Sequence, residues 1–274
     1  MIDSVLWKRA LLACVLAWGA AAHSALPEAV QQEVQRWLDC YSAVSWGDCE
    51  IALGESGSTL GRVHRDSGRL LGGSKIGTTT YARAMDGLLS AAREGYPPAY
   101  EWIGIFVARD VGLRKSLPWR WLAAEHGKAD AARQLNRIIE REGLGRLDRQ
   151  SVADRMFLSW VQCHPASFAS GGPVMNAVNM LRKASPEADI AQLIAQLHAE
   201  RLREAESRAE GFLRSCAPSD YHLAGLPADE HAWVRNEVRA RMAQTLKNIQ
   251  EAVRKFPELE IFTVPEYQDL LPPP

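Results

Sequence analysis

The sequence has no excess of charge of either sign. Its 32 Lys and Arg residues are balanced by 33 Asp and Glu, so the formal net charge of the 274 residues is −1. A protein that holds nucleic acid is expected to present a basic stripe, and we therefore expect no nucleic acid among the partners. One local excess of basic residues lies in a glycine-rich stretch: Arg62, Arg65, Arg69 and Lys75 against Asp66. We interpret it as a solvated loop, with a site for an anionic surface as the alternative.

The sequence also lacks the motifs of common catalytic sites. Residues 68–75 fail as a phosphate-binding loop, because Lys75 neither directly follows the second glycine nor precedes Ser or Thr. Residues 54–58 lack the glycine that a nucleophile elbow needs two positions after its serine. His198 and Glu200 begin a zinc-deaminase signature, but its proline and paired cysteines are missing. We expect no catalytic residue, no metal and no cofactor, and we do not expect an enzyme.

Long apolar runs are absent except near the start of the chain. Lys8 and Arg9 precede an apolar run over residues 10–22, and the small residues Ser24 and Ala25 follow it. This is the order of parts in a secretory signal peptide. The run is shorter than the roughly 20 apolar residues that a membrane-spanning helix needs.

We therefore predict that residues 1–25 are a signal peptide and that the mature protein is periplasmic or secreted. Membrane contact is then limited to this segment before its cleavage. An uncleaved anchor is one alternative. A lipid on Cys14 is another, since residues 11–14 resemble the lipobox of bacterial lipoproteins, although only four residues separate Arg9 from Cys14.

Cysteine is scarce. If Cys14 leaves with the signal peptide, Cys40, Cys49, Cys163 and Cys216 remain, an even number that an oxidising compartment can pair. We favour a bond between Cys40 and Cys49, which closes a short loop, and one between Cys163 and Cys216, which joins two helices. Four buried free thiols are the alternative.

The sequence does contain a phrase that occurs twice, thirty-two residues apart. Ala91-Ala92-Arg93-Glu94-Gly95, with Ala99, returns as Ala123-Ala124-Glu125-His126-Gly127, with Ala131, and Ile103 and Phe106 align with Leu135 and Ile138. A recurring helix, glycine, helix unit is typical of stacked repeats, in which each unit buries its apolar face against a neighbour.

These residues resemble the Sel-one-like repeat, a relative of the tetratricopeptide repeat. The match lies over about residues 81–147 and consists of Ala99 to Gly104, Trp119, Ala123 to Glu125, Gly127, Ala131 and Leu135. The connector, Arg109 to Lys115, is shorter than usual and lacks the family's glycine-x-glycine-valine turn. The resemblance implies helix-turn-helix repeats that bind a protein or peptide.

Capping residues and helical spacing predict four helices in the repeat region. The signals are, in order, Thr79 or Thr80 as an N-cap, Gly95 as a C-terminal turn, Pro97 and Pro98 as a helix start, Ser116 as an N-cap with Pro118 in the first turn, and Gly127 as the second turn.

The predicted fold is all-α: a short right-handed stack of repeats followed by a C-terminal hairpin of long helices. The predicted parts are a signal peptide (1–25), an N-terminal helix (26–50), a glycine-rich linker (51–80), the repeats (81–147), a helical C-terminal domain (148–255) and a proline-rich extended tail (256–274). Within the C-terminal domain, residues 186–216 and 227–255 carry apolar residues at helical spacing and form the hairpin.

We predict an exported helical-repeat scaffold that binds a protein or peptide partner of the cell envelope in the groove between its helices. Candidate contact residues are the aromatics Tyr100, Trp119 and Trp121. Trp119 and Trp121 lie two positions apart on one predicted helix and cannot both point into the same core. The alternative is an envelope enzyme or cell-wall ligand receptor. Its mark is a cluster of titratable side chains in a pocket between the repeats and the C-terminal hairpin.

Overall fold

The computed structural model describes residues 36, 40, 52, 55, 59–141, 148–164, 203, 223–256 and 259. The helices with described bounds are α1 (Thr59–Leu71), α2 (Thr79–Arg93), α3 (Pro97–Asp110), α4 (Leu113–Glu125), α5 (Ala129–Arg141), α6 (Arg149–Cys163) and α7 (Ala228–Lys255). These described segments contain no strand, so the predicted all-α class is confirmed. None of the helices in them is long and apolar enough to cross a membrane.

The recurring phrase folds into the same turn twice. Gly95 ends α2 with φ +86°, and Gly127 ends α4 with φ +80°, in the left-handed region that glycine adopts without strain. In the first turn, the amides of Tyr96 and Gly95 donate to the carbonyls of Ala91 and Ala92 at 3.1 and 3.0 Å. The corresponding bonds in the second turn, to Ala123 and Ala124, are both 2.9 Å. This pair of bonds is the Schellman motif, which satisfies the last carbonyls of each helix.

Each helix packs against the next one along the chain from α1 to α6, and α7 packs against α6 and also contacts α4. The buried side chains form two clusters. The first core cluster is built mainly on α1, α2 and α3, and the second mainly on α5, α6 and the amino-terminal part of α7. Helix α7 is 28 residues long and takes part in both, with Val238 and Met242 in the second and Ile249 and Ala252 in the first.

The prediction of a glycine-rich linker over residues 51–80 is wrong for Thr59–Leu71, which form α1. Leu60, Val63 and Leu70 lie at helical spacing and are buried against the first core cluster. Packing of this apolar face on α2 outweighs the helix-weakening effect of glycine, which is about 1 kcal/mol per residue.

The prediction of a solvated loop at the local basic excess holds only for Lys75, since Arg62, Arg65 and Arg69 lie on α1. Arg65 Nε and Arg69 Nη1 lie 2.8 and 3.7 Å from Oδ1 of Asp66, whose side chain is almost fully buried. The two arginines therefore compensate the charge of a buried carboxylate on the same helix.

Two predicted helix starts are also displaced. Thr78, rather than Thr79 or Thr80, caps α2, because its Oγ1 accepts the amide hydrogen of Tyr81 at 3.2 Å. Helix α4 begins at Leu113, directly after a turn at Gly112. Ser116 thus lies inside α4, where its hydroxyl donates to the Leu113 carbonyl at 2.7 Å.

Helix α7 confirms the helix predicted over residues 227–255. The signal peptide (1–25), most of the N-terminal helix (26–50) and, apart from the helical residue Arg203, the other arm of the predicted hairpin (186–216) lie outside the described residues. The predicted extended tail is wrong at its start, since Phe256 and Leu259 are buried in the first core cluster. The Phe256 ring meets the Tyr96 ring edge-on, with 4.9 Å between the two ring centres.

Candidate functional site

Two concave sites on the described part of the chain bear on function. The larger, which we name the C-cap cleft, is a cavity of about 410 Å³ lined by Glu94, Gly95, His126, Asn248, Glu251, Ala252, Arg254, Lys255 and Phe256. The smaller, the Trp121 pocket, is a cavity of about 190 Å³ lined by Leu117, Trp121, Leu135, Ile138, Ile139, Ser151 and Asp154.

The Trp121 pocket lies where α4, α5 and α6 meet. Leu117 and Trp121 are one turn apart on α4, Ile138 and Ile139 come from α5, and a polar rim comes from Ser151 and Asp154 on α6. All but Leu135 of the lining residues are partly exposed. The pocket thus combines an apolar floor with two polar groups at its edge.

Arg241 of α7 holds the edge of this pocket in place. Its Nη1 donates to Asp154 Oδ1 at 2.7 Å, and its guanidinium lies 5.2 Å from the centre of the Trp121 ring and 4.2 Å from the centre of the Phe157 ring. Because a guanidinium stacks favourably on aromatic faces, Arg241 orients Trp121. The same guanidinium compensates the charge of the Asp154 carboxylate.

The structure separates the three aromatic residues that the sequence suggests for partner contact. Trp119 packs against the first core cluster and Trp121 against the second, as their spacing of two on one helix requires. Tyr100 is buried, with 7% of its surface exposed, and lies 4.8 Å from the His126 ring, so it is not an exposed anchor. Of the three, Trp121 alone lines one of the two sites.

The C-cap cleft lies between the two repeat turns and the carboxyl end of α7. Glu94 and His126 hold the same position in the recurring phrase, directly before its glycine, and they are the C-cap residues of α2 and α4. The C-cap residue of α7, Phe256, lines the cleft as well. The sequence signal for this site is one of the positions at which the two copies of the phrase differ.

Hydrogen bonds from α1 fix the Glu94 carboxylate. Arg62 Nη2 lies 2.8 Å from each carboxylate oxygen, and the Thr59 hydroxyl donates to Oε2 at 3.0 Å. The bond from Arg62 is the main cause that lowers the pKa of Glu94, so this carboxylate stays ionised and paired. It is therefore poorly suited to accept a proton as a general base.

Three contacts define the remaining wall of the cleft. His126 Nδ1 donates to the Leu122 carbonyl at 2.8 Å, a bond that selects the tautomer with its hydrogen on Nδ1. Asn248 Nδ2 donates to the Glu125 carbonyl at 2.9 Å, and Lys255 Nζ donates to the Glu94 carbonyl. Helix α7 is thereby tied to both repeat turns.

The structure corrects one of the two predicted disulfides. Cys40 has a free thiol, so the predicted bond between Cys40 and Cys49 is wrong. Cys163 is disulfide-bonded, and its partner lies outside the described residues. Since Cys216 also lies outside them, the bond between Cys163 and Cys216 stays a prediction.

The described part of the chain contains no group of three or more His, Cys, Asp or Glu residues placed to hold a metal ion. Comparisons with models of protein families, with curated proteins and with solved structures give no match to this chain.

Proposed function

We propose that this chain is an exported helical-repeat scaffold of the Sel-one-like type that binds a protein or peptide partner in the cell envelope. The Trp121 pocket receives one apolar side chain of that partner. The observation that carries this proposal is a partly exposed tryptophan, oriented by Arg241, on the wall of an apolar pocket with a polar rim.

The size of the pocket favours a side chain over a free ligand. Sites for small molecules usually have volumes of roughly 300–1,000 Å³. The Trp121 pocket, at about 190 Å³, is smaller. Burial of one large apolar side chain contributes about 1.5–3 kcal/mol, which is typical of a single anchor residue in a protein interface.

Ile138 offers the sharpest test, because it lines the pocket, is partly exposed and belongs to neither core cluster. Trp119 and Trp121 are less suitable, since each packs against a core cluster and replacement with Ala destabilises the fold. The matched control is Val111, an exposed apolar residue in the turn between α3 and α4, outside the pocket.

The experiment selects peptides from a random phage-displayed library on the mature chain, residues 26–274. We expect the enriched peptides to share a large apolar residue. Ile138→Ser should weaken their binding about tenfold, which corresponds to about 1.4 kcal/mol, and Val111→Ser should leave it unchanged. Equal binding by the two variants, or failure to enrich any peptide, would contradict the proposal.

A second candidate function, an envelope enzyme or cell-wall ligand receptor, is favoured by the C-cap cleft. Its volume lies within the range of small-molecule sites, and titratable side chains of Glu94, His126 and Glu251 line it. Incubation of the mature chain with purified peptidoglycan sacculi tests this candidate. Co-sedimentation or release of fragments supports it, and the absence of both rejects it.

A further inference from the structure

Three helices end at the C-cap cleft. The C-cap residues of α2, α4 and α7 are Glu94, His126 and Phe256, and all three line the cavity. The carboxyl end of a helix carries a partial negative charge of roughly half an electron. Because the carboxyl ends of α2, α4 and α7 converge at the cleft, they favour a bound cation over a bound anion.

The side chains of Glu251 and His126 add hydrogen-bond acceptors beside the negative helix ends. Glu251 is exposed at the cleft and forms no ion pair among the described residues. The bond from His126 Nδ1 to the Leu122 carbonyl selects the tautomer with the hydrogen on Nδ1, and in that tautomer Nε2 is an acceptor. The Glu251 carboxylate and His126 Nε2 can each accept a hydrogen bond from a ligand whether or not the helix ends contribute.

The chain already places one ammonium group at this site. Lys255 Nζ donates to the Glu94 carbonyl at the end of α2 and lies 5.4 Å from the centre of the Phe256 ring. A carbonyl oxygen beside an aromatic ring is a favourable environment for an ammonium group. Lys255 is exposed, so a competing ligand can reach the carbonyl that it occupies.

We infer that the C-cap cleft is a binding site for a primary ammonium group, which a ligand inserts by displacing Lys255 from the Glu94 carbonyl. The group comes from a lysine side chain of a peptide or from a free alkylamine. This inference does not rest on the proposed function, because the Trp121 pocket is built by other residues.

One observation favours an anionic ligand instead, because the basic residues Arg254 and Lys255 also line the cleft. However, Lys255 already donates to a backbone carbonyl, and Arg254 shares the exposed carboxyl end of α7 with Glu251. An anion bound there would face the ends of three helix dipoles, which is unfavourable.

Titration calorimetry on the mature chain tests the inference with four probes. These are Nα-acetyl-lysine methylamide, its uncharged isostere Nα-acetyl-norleucine methylamide, the free diamine cadaverine, and Nα-acetyl-glutamate methylamide. We expect the two amines to bind and the other two compounds not to bind. Binding of the lysine derivative alone identifies a peptide side chain as the source, and binding of both amines identifies the ammonium group itself.

Variants of α7 make the test specific. Lys255→Met removes the internal competitor and should strengthen amine binding about tenfold, as expected when an occupied site becomes available. Glu251→Gln should weaken amine binding several-fold. Glu237→Gln, on the same helix but outside the cleft, should leave it unchanged.

The inference is overturned if neither amine binds Lys255→Met while its melting temperature matches that of the wild type. It is also overturned if the glutamate derivative binds better than the lysine derivative. Ile138→Ser should not affect amine binding, so failure of this inference and failure of the proposed function are separate outcomes.

Discussion

The carboxylate of Asp66 lies in space that only a glycine at position 87 leaves open. A Cβ atom at Gly87 would lie 1.8 Å from Asp66 Oδ2 and 2.8 Å from its Cγ. Asp66 is fully buried, and Arg65 donates to its two oxygens at 2.8 and 2.9 Å. Gly87 lies within α2, where glycine is less stable than alanine by about 1 kcal/mol. The contact between α1 and α2 therefore requires a residue that weakens α2 on its own.

We expect Gly87→Ala to lower the free energy of unfolding by about 3 kcal/mol. The new methyl group displaces the Asp66 carboxylate from its bonds with Arg65, and disruption of a buried ion pair typically costs this much. Urea denaturation followed by circular dichroism measures the change.

Asp66→Ala provides the control for this prediction. In that background the carboxylate is gone, so Gly87→Ala should be neutral or stabilise α2 by up to about 1 kcal/mol. A loss of stability as large as that in the wild-type background would show that the Asp66 contact is not the cause.

The repeat region was predictable because its signals are local. A glycine in the left-handed region and paired alanines specify each turn within a few residues, and Gly95 and Gly127 end their helices as predicted. The sequence places the start of α4 too late because Ser116 and Pro118 have the form of a cap and first turn. The true start at Leu113 depends on the conformation of Gly112, which the sequence does not specify.

Other features depend on contacts between distant segments. The sequence predicts a loop in place of α1 because its glycines mask the spacing of Leu60, Val63 and Leu70, and this spacing becomes meaningful only against α2. The C-cap cleft joins residues 94 and 126 to the end of α7, more than 120 positions away. The position before the glycine differs between the two copies of the phrase, Glu94 in one and His126 in the other. The periodicity of the sequence does not show that α7 packs against this position.

Acid should destabilise the protein through His64. Burial lowers the pKa of His64 to about 4, from an ordinary value of 6.5. As the pH falls below 6.5 the unfolded chain binds a proton at this ring before the folded chain does, so stability is complete above 6.5 and decreases toward pH 4. Between pH 7 and pH 5 we expect a loss of about 2 kcal/mol in the free energy of unfolding, measured by urea denaturation.

His64→Gln is the control for the acid effect and should remove most of this pH dependence. The contribution of Glu94 falls in a different range, since Arg62 lowers its pKa below that of an ordinary carboxyl group. Its stabilising effect is present at pH 5 and is lost only under more acidic conditions. An equal loss between pH 7 and pH 5 in His64→Gln would assign the effect to other groups.

Maturation is tested on the protein isolated from its native cells. The charged start, short apolar run and small residues of the first 25 positions predict a mature chain that begins near Leu26. Intact-mass spectrometry should find this amino terminus. Lys8→Glu combined with Arg9→Glu, which reverses the charge before the apolar run, should retain the full-length chain inside the cell. A native protein that keeps residues 1–25, or has a lipid on Cys14, would contradict the prediction.

The final prediction concerns the disulfide of Cys163. An oxidising compartment allows this bond to form, and the bond stabilises the folded chain. Cys163 is bonded and Cys40 is free in the structure, and we predict Cys216 as the partner of Cys163. A bond between positions 53 apart stabilises the folded chain by about 4 kcal/mol in the chain-entropy model. Cys163→Ser should lose this amount, whereas Cys40→Ser should change the free energy of unfolding by less than about 1 kcal/mol. Peptide mapping without reduction should recover the Cys163 and Cys216 peptides as one species. A Cys163 peptide that is linked to Cys49, or that is alkylated before reduction, would contradict this pairing.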